Sequence, residues 1–260
     1  MSGQLATTGL DIPGAQEKYA VQHPDERTPL VAVQGLKKSY TLKPVLRGID
    51  LTLRAGECVA LLGANGAGKT TLLRILACLT KPGAGRAAVS GWDCVRDAQQ
   101  VRRLLGFVAH QGYLYEELTA LENLLFFARM YAVEHADERA QMLLGRVGLA
   151  RRQNERVATF SRGQLQRLAW ARALLHAPRL LLLDEPDTGL DQQGHELVDT
   201  LLHEHIAAGG GCLLITHQLE RALQWSDRVA LLSAGRIVYR QESARLDLAD
   251  LQQHYREVVR

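Results

Sequence analysis

The sequence lacks the features that mark a membrane-spanning, secreted or nucleic-acid-binding chain. Within its 260 residues, no apolar run approaches the roughly 20 residues that a membrane-spanning helix needs. The first residues, from Met1 to Leu5, contain neither the basic region nor the apolar region of a signal peptide. Lysine and arginine total 31 and acidic residues total 28, so the net charge is only +3. We therefore expect a cytoplasmic chain with no membrane span of its own and no nucleic-acid partner.

Cysteine is scarce as well, and no two cysteines are spaced as C-x-x-C. The four residues are Cys58, Cys78, Cys94 and Cys212. Their spacing favours neither a metal cluster nor a disulfide framework. Cys58 and Cys212 lie in apolar, strand-like runs, so we expect both side chains to be buried in a core.

Apolar runs typical of buried strands alternate with helical patterns through most of the chain. The predicted strands cover residues 30–33, 49–53, 58–62, 180–183, 212–216 and 229–232. Long helical patterns include residues 119–131 and 163–176. Very apolar strands that alternate with helices indicate an α/β fold with a buried, mostly parallel sheet.

The chain divides into three parts by composition. Residues 1–29 are polar and interrupted by prolines, which predicts a mobile N-terminal extension. Residues 30–242 form the expected α/β domain, and the mainly helical stretch at about 97–177 could be a subdomain inserted into it. Residues 243–260 place apolar side chains at helical spacing, which predicts a short C-terminal helix.

A glycine-rich segment predicts a phosphate site. Residues from Gly63 to Thr70 match the pattern G-x-x-x-x-G-K-T, between a predicted strand and a helical run. In this pattern the backbone N–H groups surround phosphate oxygens, the lysine contacts the β- and γ-phosphates and the hydroxyl ligates Mg²⁺. The expected nucleotide-binding residues here are Gly63, Ala64, Asn65, Gly66, Ala67, Gly68, Lys69, Thr70 and Thr71.

Two acidic residues follow the predicted strand 180–183. Asp184 can hold the hydration shell of Mg²⁺. Glu185 can orient and deprotonate an attacking water molecule. Together with the glycine-rich segment, these residues predict a site that binds ATP and Mg²⁺ and hydrolyses ATP.

The order of these motifs resembles the ATP-binding cassette (ABC) family over about residues 31–240. The resemblance implies an α/β fold of the P-loop NTPase type, with a mixed sheet core and an inserted helical subdomain. It also implies roles for residues outside the glycine-rich segment. Tyr40 would stack on adenine beside Val45, and Gln111 would reach Mg²⁺ and the γ-phosphate as the Q-loop glutamine. Asp191 would belong to the D-loop, and His217 would contact the γ-phosphate.

The signature motif of the family is present with one departure. Residues 160–164 read Phe-Ser-Arg-Gly-Gln, where the family usually has Leu-Ser-Gly-Gly-Gln. Ser161, Gly163 and Gln164 are retained at the start of a predicted helix, where they would face the nucleotide of a partner chain. Arg162 replaces the first glycine. Either its side chain points to solvent with little effect, or it tunes ATP-driven closure or contacts the partner.

The resemblance also implies two kinds of partner. A second cassette, most simply a second copy of this chain, would complete the ATP site. A separate integral membrane subunit would dock between about Gly112 and Asn123, which would hold the chain on the cytoplasmic face of the membrane. Tyr113, Leu114, Tyr115 and Leu118 would be apolar anchors, although these side chains could instead only pack the helical subdomain.

A narrower similarity concerns the transported substrate. A similarity to the haem-exporter ATPase of cytochrome c maturation covers residues 106–111, 114–115, 117–124, 160–163 and 216–218. We expect haem export or cytochrome c biogenesis on that basis. Exporters of drugs, sodium or polysaccharide share much of the stretch 118–124 and remain an alternative. A third possibility is a soluble ATPase without a transporter, such as that of iron–sulfur assembly.

Overall fold

The computed structural model describes residues 28–41, 43–109 and 113–258. The strands are β1 (Val31–Tyr40), β2 (Lys43–Leu53), β3 (Cys58–Leu62), β4 (Ala84–Val89), β5 (Trp92–Asp93), β6 (Leu105–Val108), β7 (Leu180–Asp184), β8 (Gly211–Ile215), β9 (Arg228–Ser233) and β10 (Arg236–Glu242). The helices are α1 (Lys69–Leu76), α2 (Ala98–Arg103), α3 (Ala120–Tyr131), α4 (Ala136–Arg146), α5 (Arg162–Leu174), α6 (Gln192–Ala207), α7 (Leu219–Trp225) and α8 (Leu248–Val258). Short 3₁₀ helices cover Ala150–Arg152, Val157–Thr159 and Ser243–Arg245.

The described strands form two sheets. The larger sheet has the order β10-β9-β3-β8-β7-β6, in which only the β10–β9 pair is antiparallel. The smaller sheet, β2-β1-β4-β5, is antiparallel throughout. The predicted α/β fold with a mixed sheet core is therefore confirmed. The carboxyl ends of β3, β8 and β7 lie side by side, so the loops that follow these strands meet at one edge.

The central strands are apolar on both faces because each face packs on its own core. In β3, Cys58, Ala60 and Leu62 face a core that also contains side chains of α3, α4 and α5. Val59 and Leu61 face a second core, built with α1 and the smaller sheet. A strand enclosed in this way has no polar side, which explains the uninterrupted apolar runs in the sequence.

Four strands were not predicted, namely β4, β5, β6 and β10. The strand β6 is the most consequential, because it lies inside the range 97–177 that we expected to be mainly helical and yet pairs with β7 in the larger sheet. It has only four residues and includes Gly106. A Cβ atom at Gly106 would lie 2.6 Å from the carbonyl oxygen of Ala173, so glycine allows α5 to pack closely on this strand. The close packing of α5 on Gly106 and the pairing with β7 hold β6 in the larger sheet.

Several remaining predictions concern the ends of the chain and the cysteines. Residues 1–27, most of the predicted N-terminal extension, lie outside the described residues, as do residues 259–260. No described helix is long and apolar enough to cross a membrane. Cys58 and Cys212 are 1% and 0% exposed and lie opposite each other on β3 and β8, so their predicted burial is confirmed.

Candidate nucleotide site

The loop between β3 and α1 depends on glycines at two close approaches. Gly63 has φ +148°, and a Cβ atom there would lie 2.1 Å from the carbonyl oxygen of Leu232. Gly68 has φ +112°, and its Cβ atom would meet the Leu46 side chain at 2.7 Å and the Val45 carbonyl oxygen at 3.1 Å. Only glycine fits these positions, because a side chain would clash with neighbouring strands or strain the backbone.

The helix α1 begins without a side-chain cap. Its N-cap residue is Gly68, which has no side chain to accept the first N–H groups. The first turn of α1 contains no acidic residue either. The N–H groups and the positive end of the helix dipole are therefore available to an anion, as a phosphate-binding loop requires.

Lys69 lies against the same loop. Its side-chain ammonium donates hydrogen bonds to the carbonyl oxygens of Gly63 at 2.6 Å and Ala64 at 2.9 Å. The residue is only 6% exposed. Burial lowers the pKa of Lys69, and the negative charges of Asp184 and Glu185 offset part of that effect. A buried cation next to free N–H groups gives the loop a strong preference for a polyanion.

The two predicted Mg²⁺ ligands with described coordinates lie together. The hydroxyl of Thr70 donates a hydrogen bond to Oδ2 of Asp184 at 3.2 Å, across 114 residues of sequence. A hydroxyl and a carboxylate are hard oxygen donors, which Mg²⁺ prefers. The residues therefore fit this ion. The third predicted ligand, Gln111, lies outside the described residues.

The side chains of Glu185 and His217 lie within hydrogen-bond distance of each other at the edge of the sheet. The Nε2 atom of His217 lies 2.7 Å from Oε1 of Glu185. Glu185 adopts a left-handed backbone conformation with φ +54°, and its N–H donates to the carbonyl oxygen of Ile215 at 2.9 Å. The pairing of β7 with β8 places the two residues close together, because each lies in the loop that follows its strand.

Of the two predicted adenine residues, Val45 lies beside the loop and Tyr40 lies at the end of β1. Val45 lies next to Gly68, since a Cβ atom built there would be 3.1 Å from the Val45 carbonyl oxygen and 3.4 Å from its Cγ1 atom. Tyr40 is 45% exposed at the end of β1, and the ammonium of Lys38 lies 5.1 Å from its ring centroid. An exposed aromatic face is suited to stacking on a planar base.

The signature residues cap α5. The Ser161 hydroxyl accepts a hydrogen bond from the Gln164 N–H at 3.3 Å, and the Gln164 side chain accepts one from the Ser161 N–H at 2.9 Å. This capping box satisfies N–H groups at the start of the helix. Gly163 allows a close approach, because a Cβ atom there would lie 3.0 Å from the carbonyl oxygen of Gly189.

The D-loop residues 189–191 lie against the start of α5 in the same chain. Asp191 caps α6 by accepting the Gly194 N–H at 2.8 Å, and it also accepts a hydrogen bond from Arg167 at 2.7 Å. These bonds lower the pKa of Asp191. A Cβ atom at Gly189 would lie 3.1 Å from both Cγ and Cδ of Arg162. The stem of Arg162 therefore covers the D-loop, an arrangement that neither of our two expectations for this residue included.

Three residues of the site were not predicted as functional. Gln166 and Trp170 of α5 both donate hydrogen bonds to the carbonyl oxygen of Pro186, and Asp187 is a carboxylate buried to 3% exposure. Burial raises the pKa of Asp187. Gln166 stands where the family pattern expects a glutamine after the signature. No sequence pattern marks Trp170 or Asp187, because their importance comes from contacts across the fold.

These observations define the class of the protein. A glycine-rich loop before a helix, a buried lysine and a Thr–Asp pair at the edge of a parallel sheet are the parts of a P-loop nucleoside triphosphate site. A family model described as ABC transporter matches residues 46–188, which is more than half of the chain. The chain belongs to the ABC transporter family as an ATP-binding subunit, as the resemblance predicted. ABC ATPase domains hydrolyse ATP and couple hydrolysis to transport.

Two similar curated proteins are named for drug resistance and for Nod factor export. The chain is 40% identical over 210 residues to the daunorubicin resistance ATP-binding protein DrrA3 of Streptomyces coeruleorubidus, covering 80% of this chain and 66% of that protein. It is 38% identical to the Nod factor export ATP-binding protein I of Rhizobium meliloti (strain 1021), covering 86% of this chain and 64% of that protein. The chain thus spans about two thirds of the length of these relatives. Their names give no support to the predicted haem export or cytochrome c biogenesis.

Solved structures show the same fold. An ATP-binding subunit of an ABC transporter superposes with a TM-score of 0.82 at 32% identity, covering 88% of this chain and 99% of that one. A dimeric ATP-binding cassette in a post-hydrolysis state, bound to ADP and Pi, has a TM-score of 0.76 at 29% identity, covering 82% of this chain and 98% of that one. ABC ATPase domains of this family form dimers and work with a membrane subunit.

Proposed function

We propose that this chain binds and hydrolyses ATP as a homodimer and drives a separate membrane subunit that exports a compound of the drug or Nod factor type. The observation that carries the proposal is the Glu185–His217 pair, 2.7 Å apart, at the edge of the sheet where Thr70 contacts Asp184. This arrangement combines a general base with hard oxygen ligands.

The chemistry follows from the positions of these groups. The loop N–H groups and Lys69 hold the phosphates and stabilise negative charge as it develops. Thr70 and Asp184 would hold Mg²⁺, which supplies charge neutralisation when bound. Glu185 accepts the proton of the attacking water molecule, and His217 orients the Glu185 carboxylate. In a homodimer, Ser161 and Gly163 of the partner copy contribute a second helix N-terminus.

Replacing Glu185 by Gln tests the assignment of the base. We expect Glu185→Gln to bind ATP normally, to hydrolyse it at least about 100-fold more slowly and to accumulate as a dimer with ATP. The measurements are ATPase rate, nucleotide affinity and mass by light scattering with and without ATP. Glu196→Gln, an exposed change on α6, is the control and should behave as wild type. Hydrolysis by Glu185→Gln at the wild-type rate would refute the proposal.

An aromatic cluster supports docking of the membrane subunit in the predicted region. Tyr115 packs edge-on against Phe126 at 4.9 Å between ring centroids, and Phe126 packs against Phe127 at 5.4 Å. Tyr113, Tyr115 and Phe126 are 47%, 48% and 37% exposed. A group of exposed aromatic side chains next to Glu116 and Glu117 suits an amphipathic helix that carries basic residues.

The docking surface can be tested separately from hydrolysis. We expect the double variant Tyr115→Ala, Phe126→Ala to retain ATPase activity but to lose co-purification with the membrane subunit encoded beside it. Val238→Ala changes an apolar residue that is 53% exposed on β10 and is the matched control. Full retention of the membrane subunit by the double variant would argue against this surface.

The class of exported compound is tested in cells. A strain without the chain should accumulate more of an amphipathic drug such as daunorubicin, and Glu185→Gln should fail to restore export. Normal levels of holo-cytochrome c in that strain would agree with the proposal. Loss of holo-cytochrome c, with drug accumulation unchanged, would contradict it and favour the haem alternative.

A further inference from the structure

Two buried side chains of α5 converge on one carbonyl group of the loop that carries Glu185. Gln166 Nε2 donates to the Pro186 carbonyl oxygen at 2.8 Å, and Trp170 Nε1 donates to the same oxygen at 3.1 Å. Gln166 is 8% exposed and Trp170 is fully buried. The two residues are four positions apart, so they project from the same face of the helix. Because the Pro186 carbonyl oxygen accepts hydrogen bonds from two buried donors, this part of the loop is held in a fixed position.

The backbone next to this point is in an unfavourable conformation. Glu185 has φ +54°, a left-handed conformation that is unfavourable for a residue other than glycine. The following proline biases Glu185 towards extended conformations instead. Such a conformation persists only where the surrounding structure holds it. On one side, the Glu185 N–H is held by the Ile215 carbonyl oxygen at 2.9 Å.

On the other side of Glu185, the Pro186 carbonyl group is held by the hydrogen bonds from Gln166 and Trp170. We propose that Gln166 and Trp170 are positioning residues for ATP hydrolysis, which hold Glu185 in the conformation that pairs its carboxylate with His217. This inference rests on the proposed role of Glu185 as the general base. It also gives α5 two tasks, since the helix presents Ser161 at its start and supports the base one to two turns later.

The test replaces the donors and keeps the packing. Trp170→Phe keeps an aromatic ring and removes the indole N–H, and Gln166→Leu keeps a similar volume and removes the amide. Because each single variant leaves one donor, we expect kcat for ATP to fall about 3- to 10-fold in each, the size of one hydrogen bond. The double variant leaves the buried carbonyl without a donor from α5, so kcat should fall more steeply, by about 30-fold or more. The affinity for ATP, measured by equilibrium binding, should change less than about twofold.

A second tryptophan provides the matched control. Trp225 Nε1 donates to Oδ1 of Asp199 at 2.6 Å, at a contact between α7 and α6. Trp225→Phe therefore removes the same N–H group, and we expect a loss of thermal stability with unchanged kcat. A purely structural role of Trp170 would give the same pattern, namely a lower Tm with unchanged kcat, and that result would overturn the inference.

The experiment also separates this inference from the proposed function. Glu185→Gln is assayed in parallel with the α5 variants. If Glu185→Gln hydrolyses ATP at the wild-type rate, the proposed base is wrong. If Glu185→Gln is inactive while Gln166→Leu and the double variant keep wild-type kcat, only the positioning role is wrong. Should Trp170→Phe not fold, Gln166→Leu alone decides by the same criterion of kcat against affinity.

Discussion

The helices α1 and α5 both begin beside a glycine, but their first N–H groups are treated differently. At α1 the N-cap is Gly68, which offers no side-chain acceptor, and the buried ammonium of Lys69 lies over the preceding loop. At α5 the N-cap is Ser161, whose hydroxyl is already bonded to the Gln164 N–H in a capping box. The first helix start is arranged for an anion, whereas the second is satisfied within its own chain.

The comparison indicates that the two helix starts have different roles in an ABC site. The α1 site can hold phosphate without a partner, because its donors have no competing acceptor. At the start of α5, Ser161 is exposed and the N–H groups already have acceptors, so a nucleotide that binds there would have to share or replace the capping hydrogen bonds. We therefore expect nucleotide binding to depend on α1 in a single chain, and α5 to matter only in the assembled dimer.

The largest effect should come from removing the cation of the α1 site. Lys69→Ala should lower ATP affinity by about 100-fold or more and abolish hydrolysis, because a charge-assisted contact to phosphate is lost in a buried setting. Equilibrium binding of ATP to the isolated chain measures this effect. Lys37→Ala removes an exposed lysine on β1 and is the control. Tight ATP binding by Lys69→Ala would contradict the expectation that nucleotide binding by a single chain depends on the start of α1.

A change at the α5 start should separate binding from hydrolysis. Ser161→Ala removes the N-cap hydroxyl, so stability should fall by about 1 kcal/mol. We expect hydrolysis by the dimer to fall about 10-fold or more, with ATP affinity of the single chain unchanged. Thr119→Ala removes the matching capping box of α3, with a similar loss of stability. Equal hydrolysis by the two variants would show that Ser161 only caps its helix.

The stability of the chain should depend on pH through Asp187, which lies in the loop between β7 and α6. Burial raises the pKa of this carboxyl, so the folded chain holds the proton to a higher pH than the unfolded chain. Stability therefore falls as pH rises from the unfolded pKa, near 3.9, through the folded pKa. Asp187→Asn cannot ionise, so it should be more stable than wild type at pH 7 and should lose that advantage near pH 4. Urea unfolding at both pH values measures this, and an equal difference at both would contradict it.

The smallest effect should come from the departure in the signature. Arg162→Gly removes the stem that covers Gly189, and we expect the ATPase rate of the dimer to change by only about twofold, as for most surface changes. Arg162→Met keeps much of the stem without the charge and should match wild type. If Arg162→Met behaves like Arg162→Gly, the charge matters rather than the contact with the D-loop.

The sequence predicted the parts of the site that belong to short continuous segments. The glycine-rich loop, Asp184 and Glu185, the signature and His217 each lie where a strand ends or a helix begins, so local pattern reveals them. The strands β4, β5, β6 and β10 escaped prediction, because they are short, contain glycine or are half-exposed. The substrate prediction failed to gain support for a related reason: the segments that resembled a haem exporter lie in parts of the cassette that exporters share.

By itself, the sequence determined the fold class and the chemistry of the nucleotide loop, because apolar strand runs and the G-x-x-x-x-G-K-T spacing act through neighbouring residues. The tertiary structure alone decided which distant groups meet. It set Glu185 against His217, covered Gly189 with the stem of Arg162 and brought Gln166 and Trp170 to the Pro186 carbonyl. Glu185 and His217 are 32 residues apart in sequence and meet because β7 and β8 are neighbours in the sheet. The other contacts arise because α5 packs against the loop that follows β7.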